Sequence, residues 1–217
     1  MSKKELAKRY ILFIISLFVA AMGVAITKRG ELGVSPISSV ANVLSIKYIN
    51  LSLGTWLIIW NCILILGQIL MLGKKFQMIQ FLQIPLSFLF GYFTDFGMWC
   101  VSILPADNYV FRMILVICGI MVLGLGVSLS VTANVIMNSG EAFVKVLSDK
   151  TDKDFGSIKI GFDILCVIVS VLLSLLFFHG KIVGTREGTI ISAVFTGAAV
   201  KVFSHILKKP LELILKK

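Results

Sequence analysis

Charge is scarce in this sequence. Asp, Glu, Lys and Arg make up 15% of its 217 residues, where a soluble domain of this length carries about 25%. So little charge leaves a soluble globule without a polar coat, which sets aside soluble enzymes and soluble binding modules. Chemical motifs are missing as well. There is no HExxH, no glycine-rich phosphate loop closed by Lys-Ser/Thr, and no Gly-x-Ser-x-Gly elbow. The polar segments are too short to hold an ATPase, so the expectation is a protein that is not an enzyme and needs no cofactor. The four cysteines, Cys62, Cys100, Cys118 and Cys166, form no CxxC pair and stand in no His/Cys cluster. They read as small apolar fillers, and no metal site is expected. Acidic residues number 11 against 21 basic ones, giving a net charge of +10. That balance would suit nucleic acid, but the basic residues sit at the ends of apolar runs, as the positive-inside rule describes.

What is abundant is apolar: 58% of the chain is hydrophobic and the mean hydropathy is +0.98. A helix needs about 20 apolar residues to cross a bilayer. Six stretches meet that length, at about 9–27, 54–72, 79–99, 110–131, 157–178 and 188–207. The fold class is therefore all-α integral membrane, in contact with the lipid bilayer. Two further helical segments, Pro36 to Lys47 and Ser139 to Asp149, are too short to span, since a dozen residues cover only about 18 Å.

The chain also aligns with itself. Arg9 matches Arg112, Gly23-Val24-Ala25-Ile26-Thr27 matches Gly126-Val127-Ser128-Leu129-Ser130, and Leu44-Ser45 matches Leu147-Ser148. Gly54-Thr55 matches Gly156-Ser157, and Trp60-Asn61 matches Phe162-Asp163. The order span, short helix, span, span thus occurs twice, over 1–107 and 108–217, within one membrane domain. An odd number of spans per copy inserts the second copy upside down, which makes an inverted repeat of the kind common in secondary transporters. Lys3, Lys4, Lys8 and Arg9 ahead of the first run resemble a secretion leader. Because that run recurs in the repeat, it is read as a retained span. Charge sets the orientation: with both termini in the cytoplasm, fifteen basic residues lie inside or near it and six outside, namely Lys28, Arg29, Lys47, Arg112, Lys181 and Arg186. The expected location is the cell membrane, with both termini inside.

The segment Gly33-Val34-Ser35-Pro36-Ile37-Ser38, then Gly54-Thr55-Trp56, Trp60-Asn61, and Phe90-Gly91-Tyr92 with Asp95 resembles the YczE/YyaS-like group of bacterial membrane proteins, related to the YitT membrane family. The resemblance runs from about residue 8 to 207. It implies a bacterial multi-pass protein of the cell membrane and carries no reaction or functional residue with it.

Candidate functional residues follow from physics alone. Ser35-Pro36 reads as a helix start, with Ser as cap and Pro at the first helical position. Asn138-Ser139-Gly140-Glu141 reads as another, patterned like a capping box. Two geometries are open to the short helices. They lie flat at the interface, or they dip inward so that their N-terminal N–H groups and dipoles meet an anion. Asp163, about seven residues into the fifth span, is costly there unless paired or hydrated, so it is a candidate proton-coupling residue together with Glu141. Its repeat mate Asn61 and the capped ends Ser35, Ser38, Asn138 and Ser139 are candidate substrate contacts. Gln68 and Gln83 are read as amides that tie helices together. Asp95 and Lys201 occupy matching repeat positions but opposite sides, so no ion pair is expected.

The leading functional expectation is a small secondary transporter, importing or exporting a small organic or anionic solute, with proton coupling. The alternatives are a substrate-binding or accessory subunit with no energy source of its own, as in vitamin uptake, and a membrane scaffold or lipid-interacting protein. A homodimer is compatible with a chain of six spans, although no motif specifies one.

Overall fold

In the computed structural model, which describes residues 2–216, the elements are helical and no strand occurs among the described residues. In chain order they are α1 (Lys3–Arg29), α2 (Pro36–Lys47), α3 (Leu53–Leu72), α4 (Gln83–Val101), α5 (Tyr109–Ala133), α6 (Ser139–Thr151), α7 (Phe155–Phe177) and α8 (Glu187–Lys216). Two 3-10 turns, Gly73–Lys75 and Met78–Leu82, link α3 to α4. Among the described residues, six helices are long and apolar enough to cross a membrane, and the chain is a multi-pass membrane protein. The last span is the one most underestimated by composition: α8 runs on through Pro210 to Lys216.

Polar residues start and stop the helices. Ser2 accepts from the Glu5 N–H, Ser52 from Thr55, Asn108 from Phe111 and Asp154 from Ser157. Each takes up one of the four N–H groups that a helix start leaves unpaired. Basic side chains serve the opposite ends. Arg9 donates to the carbonyls of Thr132 and Ala133, which close α5. In the connection between α4 and α5, Arg29 donates to the Leu104 carbonyl and Arg112 to the Ala106 carbonyl. Such capping of carbonyls matters where no water can reach them.

The centre is a close crossing of α1 and α5. A Cβ on Gly23 would stand 2.4 Å from the Leu123 nitrogen, and one on Gly126 would stand 2.4 Å from the Ala20 nitrogen. Lipid offers no hydrophobic gain for helix association, so contact between backbones is what holds these two together. α4 packs on α1, and α8 on α5. The short helices cross between the remaining spans, α2 against α7 and α3, and α6 against α3 and α7. The last span of each half is placed differently: α4 packs along α3, whereas α8 has hardly any contact with α7 and touches α1 and α2 instead.

The glutamines behave as helix ties. Gln68 and Gln83 exchange two amide hydrogen bonds of 3.1 Å between α3 and α4. Asp95 accepts from the Gly54 N–H and the Ser52 hydroxyl at the start of α3, while Lys201 is exposed on α8; the two form no ion pair.

Candidate functional site

The two short helices bury their N-terminal residues in the bundle, that of α2 at mid-depth and that of α6 nearer one end. The Ser39 hydroxyl donates to the Pro36 carbonyl at 2.6 Å and reaches the Cys166 carbonyl at 3.4 Å. Cys166 lies about 16 Å along α7 from Phe155, near the middle of that helix. At its other end α2 meets the close of α7, with Tyr48 packed against the Phe177 ring at 5.9 Å. α2 therefore runs from mid-depth to one end of the bundle, as a re-entrant half-helix. α6 enters from the opposite end and is seated less deeply. Its Ser139 carbonyl accepts from Gln68, and its Ser139 hydroxyl shares a 3.1 Å hydrogen bond with Ser87. Gln68 is about 6 Å from the end of α3, counted at 1.5 Å per residue. The helix then crosses to the centre, where Val144 joins Leu64, Phe162 and Cys166 in an apolar cluster. The two starts meet: a Cβ on Gly140 would stand 3.0 Å from Ile37 Cδ1.

The caps differ from their sequence patterns. Ser35 makes no side-chain cap; its hydroxyl donates instead to Ser38 at 3.0 Å. The reason is local, because Pro36 has no N–H and the Ser38 N–H is taken by the Ser35 carbonyl at 3.0 Å. Asn138 accepts from the adjacent Ser139 N–H at 3.0 Å. Glu141 closes no capping box; it turns toward α7.

There the charged residues gather. Lys159 donates to both carboxylate oxygens of Asp163, at 2.6 and 2.5 Å, one helical turn apart on α7. Glu141 lies within electrostatic reach of both residues. It is half-buried as a residue, but its Oε2 is shut off from the surface and has no hydrogen-bond partner. Burial pushes the Glu141 carboxyl above the ordinary glutamate value, against the pull of Lys159. With Lys159 and Asp163 charged, a proton on Glu141 leaves the trio neutral, and losing it leaves an uncompensated anion. Proton exchange is thus the chemistry this group can perform.

Of the sequence-derived candidates, Glu141 and Asp163 come together between α6 and α7, Ser139 is tied to Gln68 and Ser87 on α3 and α4, Ser35 and Ser38 bond each other at the start of α2, and Asn138 caps α6. Asn61 is buried on α3, one turn before Leu64 of the same apolar cluster. Trp60, partly buried against that cluster, has an indole N–H with no partner. Lys159 was missed by sequence reasoning, although its spacing of four from Asp163 is the signal of a pair on one helix face.

With the geometry in place, comparison with known proteins places the chain. Residues 7–205 match the family described as DUF6198, a family of unknown function. The chain belongs to that family. It is also 28% identical to the uncharacterized membrane protein YczE of Bacillus subtilis (strain 168), over 202 residues that cover 92% of this chain and 86% of that one. No solved structure matches. Membership of DUF6198 agrees with the YczE-like resemblance of its Gly33–Ser38 and Gly54–Trp56 segments, and it assigns no activity.

Proposed function

We propose that this DUF6198 protein is a small secondary transporter of an organic or anionic solute, coupled to protons. The observation that carries the reading is the contact between the buried starts of α2 and α6, Ile37 against Gly140, beside Glu141, whose Oε2 has no hydrogen-bond partner. Helix starts present N–H donors and a partial positive charge. Irregular backbone at that depth is tolerated only against protein or a watery cavity. Solute would sit at the α2 and α6 starts, with Ser35 and Ser38 supplying hydroxyls. Glu141 would take and release the proton, and the Lys159–Asp163 pair would set its affinity.

The reading also takes the two halves as inverted copies, with both termini in the cytoplasm. Packing supports it: α2 on α7 is answered by α6 on α3, and α4 on α1 by α8 on α5. In an inverted repeat each copy can adopt the conformation of the other, which exchanges the open side. The main unlike pairing, α3 packed on α4 but α7 parted from α8, is what a protein caught on one side of such a cycle would display. α1 and α5, backbone against backbone, form the part that stays still.

The test is proton movement in proteoliposomes loaded with a pH-sensitive dye, driven by gradients of small carboxylates, amino acids and phosphate. A solute gradient should shift internal pH in wild type. Glu141→Gln should slow that shift at least tenfold, and Asp163→Asn should change its pH dependence. Solute movement that proceeds unchanged in Glu141→Gln would rule out coupling through this site.

A further inference from the structure

A second site lies at the end of the bundle away from the chain termini. A partly open cavity of about 470 Å³ is lined there by Lys28, Arg29, Gly33, Asn42, Gly184 and Arg186, with Ile46, Met98, Ile182 and Val183 forming an apolar wall. Its charge is unbalanced. Three basic residues face one acid, Glu31, and that acid is already held by Arg112 at 3.1 Å. The Lys28 ammonium donates only to the Asn42 carbonyl oxygen, and Asn42 is fixed in turn by donating to the Gly184 carbonyl. Arg29 spends its Nε and Nη2 on the Leu104 carbonyl, which leaves Nη1 uncommitted. Arg186 reaches Glu187 with one nitrogen, at 3.2 Å. The Thr189 hydroxyl, buried and without a partner, lies against Gly33 on the cavity wall.

The half-buried Lys28 ammonium lies within electrostatic reach of Glu31 but has no carboxylate in hydrogen-bond contact, which is costly. Lys28, Arg29 and Arg186 gather around one hollow with Glu31 and the Glu187 partner of Arg186 as the nearby acids, and a further anion would lower their mutual repulsion. We propose that this cavity binds a small carboxylate with an apolar body: Lys28, Arg29 and Arg186 hold the oxyanion, and Ile46, Met98, Ile182 and Val183 cover the rest. The site names the solute class of the transporter proposed above and rests on that reading. Benzoate fits the description and is well within the volume. Charge-assisted bonds of this kind are each worth about a tenfold change in affinity.

The experiment uses the full chain in nanodiscs of phosphatidylcholine, titrated with benzoate. Binding should be saturable, should weaken as KCl is raised, and should fall at least tenfold in Lys28→Gln and in Arg186→Gln. Arg186 is exposed, so that variant leaves the packing intact. Lys181→Gln, at the same end but outside the cavity lining, should bind as wild type does. Equal binding of neutral benzamide, equal binding of inorganic phosphate, or no saturable benzoate binding would overturn the proposal. Displacement of benzoate by phosphatidylglycerol in the disc would assign the site to a lipid headgroup and overturn it too. Flux is measured separately in proteoliposomes. Benzoate that binds but does not move would defeat the transport reading and leave the site standing, whereas carboxylate flux undiminished in Arg186→Gln would defeat the site.

Discussion

Gly23→Ala adds one carbon to the seam between α1 and α5. That carbon would stand 2.4 Å from the Leu123 nitrogen and 2.6 Å from its Cα, where ordinary contact begins at 3.4 Å. Both atoms belong to helical backbone, so no side chain can swing aside. The helices must part by roughly 1 Å, a gap that forfeits up to about half of the dispersion well for each atom pair along the seam. Overpacking of this kind costs about 1–3 kcal/mol. Gly126→Ala repeats the insult nearby, 2.4 Å from the Ala20 nitrogen. Once the helices have parted for the first methyl, much of the room for the second already exists. The double variant should therefore cost less than the two singles together, with a coupling of about 1 kcal/mol. The assay is reversible unfolding of the purified protein in mixed micelles by increasing SDS, read by tryptophan fluorescence. Gly161→Ala is the control, because nothing lies within 4 Å of the added carbon. Strictly additive costs, or a Gly23→Ala protein within about 0.5 kcal/mol of wild type, would refute the close-crossing account.

Two further outcomes are expected. Glu141 has its pKa raised on folding, so the folded state holds a proton that the unfolded chain gives up; stability is greatest in acid and falls as pH rises above the ordinary value of 4.5. Melting curves between pH 5 and 8 should show that decline in wild type, and Glu141→Gln should flatten it; an unchanged slope would dismiss Glu141 as its source. Gln68→Leu strands the Gln83 amide and should cost about 1 kcal/mol, with Gln68→Leu/Gln83→Leu recovering part of it, both measured by SDS unfolding. A double variant worse than the sum of the singles would count against the reciprocal pair.

Spans were legible because length and apolarity are summed over some twenty neighbours, and no distant contact is needed to recognise them. The Gln68 and Gln83 amides were legible as helix ties for a similar reason: an amide in lipid must find a partner, whichever one it is. Partner identity was harder to read. Asp163 stood out by depth, yet the Lys159 ammonium that neutralises it was counted with the cytoplasmic charges, because a lysine near a span end ordinarily turns to water. Ser35-Pro36 correctly marks the start of α2, but the hydroxyl turns to Ser38, a choice made by which N–H groups Pro36 and the Ser35 carbonyl leave free. The basic cavity was invisible. Lys28 and Arg29, Asn42, and Arg186 come from three segments as much as 158 residues apart, and no local pattern announces their convergence.

The anchoring of α2 has a consequence for how the chain is made. Its buried turn rests on the Cys166 carbonyl, which lies 127 residues downstream of Ser39. At a synthesis rate of about 5–20 residues per second, α7 follows roughly 6–25 s later. Through that interval α2 is too short to span and has no finished pocket to enter. It must wait at the lipid headgroups or inside the insertion machinery, and it can tilt inward only when the fifth span arrives. A late step of assembly is then a movement of an early helix, prompted by a later one.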